Sequence, residues 1–282
     1  MRPARWWGVC LLAFLGACGE GPAAQSESDP STEASTTDGA VTDWPAIHLD
    51  QIQERLVDGE NAARRDYRLA LEQCRATSLP VRELGADELE RLGTTHVRIW
   101  VSPDIEVMRD EQWTLGLQSD APGDSCLFRL VYSGQYSYAD GSVEMGRALG
   151  EAAEGAAAAE AMPGGEILPR FALDGAARVP PGYTATGNAR VAGHACRLWR
   201  GRGLEGEIEQ CLWSGGRSFG FDDQDVGEGC SPTRPIDASL GSIVLSQEPV
   251  DGRGCRISTR AFTVGAALDA QAYGSPDAAG GT

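Results

Sequence analysis

Cys196 and Cys211, set on either side of a glycine-rich turn, constrain this chain more than any other feature. Strand-forming residues run from about Ala189 to Arg200 and again from Glu207 to Trp213. Gly201, Gly203 and Gly206 stand between them, where positive φ is easily reached. A hairpin centred on Gly203–Leu204 places Cys196 opposite Cys211, Arg200 opposite Glu207, Trp199 opposite Ile208 and His194 opposite Trp213. Directly opposed Cβ atoms lie about 4.5–5.5 Å apart, so a Cys196–Cys211 bridge is expected. Ala195, Trp199, Ile208 and Leu212 then share one face, taken as the buried one. A slip of one residue would invert the faces.

The start of the chain sets its compartment. Arg2 and Arg5 form a basic region, Trp6 to Leu15 a short apolar run, and Leu15-Gly16-Ala17-Cys18 follows. This is the layout of a secretory signal, and the run is too short for a membrane-spanning helix. The ending LGAC resembles the lipobox of bacterial lipoproteins. That resemblance covers only about the first twenty residues, and it implies cleavage before Cys18 and acylation of that cysteine. Gly19 and Glu20 follow it rather than aspartate, which by the same resemblance implies the outer membrane, facing the periplasm, rather than the inner membrane. Each buried CH₂ of an acyl chain contributes about 0.8 kcal/mol to anchoring.

The expected organisation is a signal peptide at 1–17, a lipidated cysteine and tether at 18–43, one domain at 44–268 and a disordered tail at 269–282. The tether is Ser, Thr, Ala, Glu, Asp, Gly and Pro with almost no large apolar residue before Val41. Such a composition cannot bury enough surface to offset its ordering entropy. The chain has 24 basic residues, all arginine, against 41 acids. Removing the two signal arginines leaves 22 against 41, a net charge near −19. An acidic chain without a basic cluster argues against nucleic acid as a partner.

Cys10 leaves with the signal and Cys18 goes to lipid, so Cys74, Cys126, Cys196, Cys211, Cys230 and Cys255 remain. An even number in an exported domain predicts three disulfides. Cys196–Cys211 has the hairpin as its reason, while Cys74–Cys126 and Cys230–Cys255 follow only from proximity in the sequence. No CxxC occurs, which weakens a redox or zinc motif.

Along the chain, Ile47, Ile52 and Leu56, then Tyr67, Ala70, Leu71 and Cys74, repeat at three and four, predicting helix from Ile47 to about Ser78, broken near Asp58-Gly59. Tyr67, Leu69 and Leu71 also alternate, so a strand stays open for the second half. A short helix is expected at Asp87–Leu92. Strands are expected at His96–Val101, Gln112–Leu117 and Cys126–Tyr132, with a turn at Ser102-Pro103-Asp104. In the first of these, His96, Arg98 and Trp100 share one face and Val97, Ile99 and Val101 the other. The Ala-rich stretch Ser142–Met162 predicts a helix, weakened by Gly146, Gly150 and Gly155 by about 1 kcal/mol each. Further strands are expected near Ser218–Phe221, Ser242–Ser246 and Arg256–Val264. The fold class expected is α+β, an antiparallel sheet with a few helices, stabilised by disulfides.

No complete catalytic constellation is legible. Gly216-Arg217-Ser218-Phe219-Gly220 matches the G-x-S-x-G nucleophile elbow, but no apolar helix follows and the last histidine, His194, precedes the serine. Asp222, Asp223, Asp225 and Glu228 form an acidic loop able in principle to hold Ca²⁺, although Gly227 departs from EF-hand spacing. His48, His96 and His194 lack metal-ligand spacing, and no Gly-rich phosphate loop is present, so no cofactor is expected. HVRIWV at His96–Val101 and GHAC…CLW at Gly193–Trp213 give a likeness to periplasmic lipoprotein-carrier-like domains. That likeness implies a curved antiparallel sheet over helices and transfers no functional residue. The expected function is a lipid-anchored envelope protein, a non-catalytic binding or structural module for an envelope protein, polymer or apolar ligand. The alternative is an extracytoplasmic hydrolase using Ser218 or the acidic pair Asp222 and Asp223.

Overall fold

The computed structural model describes residues 45–118, 125–140, 142–153, 162–163, 182–203, 205–219 and 242–268. All of them fall in one compact unit, Asp38–Thr282. In chain order, β1 (Ile47–Val57) and β2 (Glu60–Asn61) precede α1 (Ala62–Arg75), β3 (Val81–Arg82) and α2 (Ala86–Arg91). Then come β4 (Thr94–Val101), β5 (Ile105–Leu117), β6 (Cys126–Asp140), β7 (Val143–Gly150) and β8 (Met162–Pro163). The last five are β9 (Thr184–Val191), β10 (His194–Arg202), β11 (Glu207–Trp213), β12 (Val244–Pro249) and β13 (Gly254–Val264). The described chain is therefore sheet-dominated with two helices, closer to mostly β than to an even α+β mixture.

One path of neighbours runs β8-β7-β6-β5-β4-β1-β13-β12-β11-β10-β9. Two antiparallel meanders, β4–β8 and β9–β13, thus meet on either side of β1. The two-residue strand β3 pairs β6 in parallel, which makes the sheet mixed. Backbone registers skip between Asp50 and Gln51, between Leu198 and Trp199, and between Cys211 and Leu212. Such bulges bend the strand and increase its local twist.

The strand β1 replaces the first half of the expected Ile47–Ser78 helix. Its buried positions alternate as Ile47, Leu49, Gln51 and Gln53. Two glutamines at inward positions broke the apolar alternation in the sequence and let the three-and-four spacing of Ile52 and Leu56 dominate. Asp58 and Gly59, with φ of 55° and 80°, form the turn into β2. An Asp-Gly pair with both φ positive is the favoured two-residue hairpin turn, not a helix break. The second half is helix α1, with Tyr67 and Leu71 buried. Asn61 caps it, its side chain accepting from Arg64 N at 3.1 Å. The same Asn61 amide donates to the Gly93 carbonyl at 3.1 Å. Gly93 has φ of 72°, and an added Cβ would lie 2.5 Å from the Asn61 carboxamide oxygen, so only glycine fits that crossing.

The Ala-rich helix is also replaced where the chain is described. Val143–Gly150 is β7, and only a three-residue 3₁₀ turn follows at Glu151–Ala153. Gly146 and Gly150 remove helix propensity where the edge of β6 offers a ladder; most of the remaining stretch lies outside the described residues. The expected strand Ala189–Arg200 is two strands, because Ala192 and Gly193, with φ of 47° and 82°, turn the chain between β9 and β10. Ser214–Phe219 is a 3₁₀ helix where the start of a strand was expected.

One face of the sheet carries a cluster that includes Ile47, Leu49, Val97, Ile99 and Val101 together with Cys196, Cys211, Trp213, Leu245 and Phe262. It draws on both meanders. On the other face, α1 and α2 cover Tyr67, Leu71, Leu84, Leu92, Cys126 and Phe128. The Tyr67 hydroxyl accepts from Leu84 N at 2.9 Å, and its ring meets Phe128 edge-on at 5.3 Å. The Cys74–Cys126 disulfide ties α1 to β6 in this layer. A second disulfide joins Cys196 to Cys211, with Cα atoms 5.3 Å apart.

The hairpin register differs from the expected one. Cys196 faces Trp213 and Leu198 faces Cys211, so the bridge spans the ladder diagonally. Trp199 faces Gln210, not Ile208. The shift is two residues, which keeps Trp199, Ile208 and Leu212 on one face as the period of two requires. Both faces are filled, however: Trp199 and Leu212 form their own cluster, while Cys196, Cys211 and Trp213 join the large one. Ala195, expected inside, is exposed. The reason is the turn: Gly203 N donates to Gly206 O at 2.8 Å, which sets these two residues opposite each other and moves the centre of the hairpin one residue along the chain. Arg200 still reaches Glu207, its Nε donating at 2.7 Å, but now along the diagonal.

Candidate arginine row on the sheet face

The residues that carry charge into the sheet lie on the face of β1, β4, β5, β6 and β7 that also bears the helices. Register places Asp50 opposite Arg98, Arg98 opposite Arg109, Arg109 opposite Tyr136, and Tyr136 opposite Arg147. Opposed residues share a face, so these five side chains form one row across five strands. The helix-covered cluster bounds the row on one side through Leu115, Leu130 and Phe128. Trp100, Val107 and Tyr136 form an apolar cluster on the other.

Arg98 opposite Arg109 would repel, since like charges directly opposed are destabilising. Glu111, in the next row and opposite His96, resolves this. Its carboxylate pairs with Arg98 and, at 2.8 Å, with Arg109. The Tyr132 hydroxyl donates to the same carboxylate at 2.9 Å. Burial alone would push the Glu111 carboxyl up, but the tyrosine bond and the two guanidinium charges outweigh it and hold it below the ordinary range. Burial, together with that bond, pushes the Tyr132 phenol up. Asp110, on the opposite face, moves the other way: burial and the neighbouring Glu111 charge push its carboxyl up.

At the β1 end of the row, Asp50 pairs with His96 Nε2 at 2.9 Å. Burial raises the Asp50 carboxyl, and the His96 bond with nearby arginine charge more than reverses this. At the β7 end, the Arg147 guanidinium stands over the Tyr136 ring, 5.5 Å from its centre. The Nε atoms of Arg109 and Arg147 are buried without a hydrogen-bond partner among the described residues. Arg98, Arg109 and Arg147 thus outnumber the carboxylates of Asp50, in the row, and Glu111, in the row beside it.

The sequence singled out different residues. His194 meets the Phe262 ring edge-on at 4.7 Å, and Phe262 meets the Trp213 ring at 5.0 Å. The backbone of Ser218 lies in the 3₁₀ helix after β11, a short turn rather than the long helix an elbow needs. Asp222, Asp223, Asp225, Glu228 and Cys230 lie outside the described residues, as do Cys18, the tether and the 269–282 tail. Among the described residues no group of acids, histidines and cysteines could hold a metal, and no helix is long and apolar enough to cross a membrane. Cys255 is disulfide-bonded. The sequence reading did place His96 and Arg98 on one face of β4. It could not show that β5, β6 and β7 would bring Arg109, Glu111, Tyr136 and Arg147 beside them.

No family model matches the chain, and no curated protein matches it. Among solved structures it is similar to one of PNGF-II, at 9% identity and a TM-score of 0.33. That likeness covers 82% of this chain and spans 30% of the other, and at such a score it identifies no shared fold.

Proposed function

We propose that this chain is a lipid-anchored bacterial envelope protein whose folded sheet is a non-catalytic binding or structural module. Acylated Cys18 holds it, the 18–43 segment spaces it from the bilayer, and the outer membrane facing the periplasm is its site. The observation that carries the reading is the LGAC motif after a basic and apolar run. The disulfides Cys74–Cys126 and Cys196–Cys211 support it, because such bonds persist in oxidising, extracytoplasmic compartments. The charged groups of the sheet face also favour binding over catalysis. Glu111 is engaged by three donors and Asp50 by His96, which suits a fixed recognition surface better than a free acid or base.

The test is metabolic labelling with radioactive palmitate in a bacterial host. The natural chain should incorporate label and fractionate with the outer membrane, and Cys18→Ala should lose both. Label retained by Cys18→Ala would overturn the anchor.

A further inference from the structure

We propose that the β7 end of the row, Arg109–Tyr136–Arg147, binds an anionic oxygen group, a carboxylate or phosphate borne by a small polar ligand. The inference rests on the binding reading above and does not need the anchor. Its first ground is charge. Asp50 is paired with His96, and Glu111 already serves both Arg98 and Arg109. Arg147 has the Tyr136 ring beneath it and no carboxylate among the described residues. A cationic row on a chain of net charge −17 is a local feature, not a general property of its surface.

The second ground is hydrogen bonding. The Nε–H groups of Arg109 and Arg147 flank Tyr136 on neighbouring strands, both buried and both without an acceptor among the described residues. A buried donor left unmade is costly, and an oxyanion is the acceptor that offsets it best. Guanidinium groups present paired N–H donors in a plane, the arrangement that carboxylate and phosphate oxygens match. The two arginines are two strands apart, on the order of 9–10 Å across the sheet. Their long side chains can converge over the Tyr136 ring from that separation.

The experiment is calorimetric titration of the full-length chain with glucuronate in one arm and glucose 6-phosphate in the other, with glucose as the uncharged control. Binding of either anion, and not of glucose, is expected; the stronger arm identifies the group. Arg147→Gln should weaken that binding roughly ten- to hundredfold, the loss of one charge-assisted contact. Arg147→Lys keeps a cation over Tyr136 and loses the fork, so it should weaken binding by a smaller factor. Should the glutamine variant fail to fold, the lysine variant decides. No binding in either arm, or affinity unchanged in a folded variant, overturns the site while leaving the palmitate result untouched. Turnover of a bound probe would keep the site and overturn the non-catalytic reading instead.

Discussion

The two meanders that meet at β1 place polar side chains inside a sheet by opposite means. The β4–β7 side uses charges: Arg98, Arg109 and Glu111 on one partly open face, with side chains 10–23% exposed. The β11–β13 side and β1 use neutral amides at full burial. Gln51, Gln53, Gln210 and Gln247 are each less than 5% exposed. Gln210 donates to Gln247 at 2.5 Å, and Gln247 donates to the Cys255 carbonyl at 2.8 Å. Gln51 donates to the Val244 carbonyl at 2.6 Å and to the Thr259 hydroxyl at 3.0 Å. An amide can leave water if its bonds are replaced, whereas an ion also needs an opposite charge and some residual hydration. The charged side is therefore the one with spare cationic capacity for a ligand, and the amide side is the one closed to it.

This contrast can be broken most severely on the amide side. Gln247→Ala removes the acceptor of Gln210 and the donor to Cys255, and it leaves a void. A loss of about 3 kcal/mol is expected in denaturant unfolding, unchanged between pH 4 and pH 8 because no titrating group is involved. A pH-dependent loss would show that the amide chain is coupled to the charged row.

On the charged side, Glu111→Gln removes the carboxylate that Arg98 and Arg109 share across their opposed positions. We expect a loss of about 2 kcal/mol at pH 7, below the cost of breaking a fully buried pair because the face is partly wet. The sign follows from linkage. Glu111 titrates lower in the folded chain than in the unfolded chain, so its contribution is present above the ordinary glutamate range and vanishes as pH falls through the depressed value. The variant and the parent should therefore converge in stability in acid; a gap that persists there would assign the effect to packing alone.

Asp110→Asn is the smallest and opposite change. The Asp110 carboxyl titrates higher when folded, so its ionised form penalises the native state as pH rises through the raised value. Asparagine keeps an acceptor for the Gln135 backbone N–H and removes the charge. A gain of about 1 kcal/mol is expected at neutral pH, fading toward acid as Asp110 is protonated in both states. A destabilised variant at pH 7 would show that the carboxylate has a counter-charge there.

The strands His96–Val101 and Arg256–Val264 and the short helix near Asp87 were legible because local apolar alternation, or a glycine stop, coincides with the element in the fold. Strand β1 was not, because its inward positions 51 and 53 are glutamines, and the partners of Gln51 lie on strands about two hundred residues away. The β7 edge was misread for a related reason. Its pairing partner β6 supplies the ladder, and that partner is invisible in the local Ala and Gly content.

By itself the sequence determined the acidic and lysine-free composition, the strand character of β4 and β13, and the presence of a turn between β10 and β11. These are properties of neighbouring residues, and neighbouring residues settle them. The tertiary structure decided the two-residue offset of the Cys196–Cys211 hairpin, the position of β1 between two meanders, and the alignment of Arg98, Arg109, Tyr136 and Arg147 into one row. Each depends on register between separate strands, which the position of the turn and the burial of both faces select together.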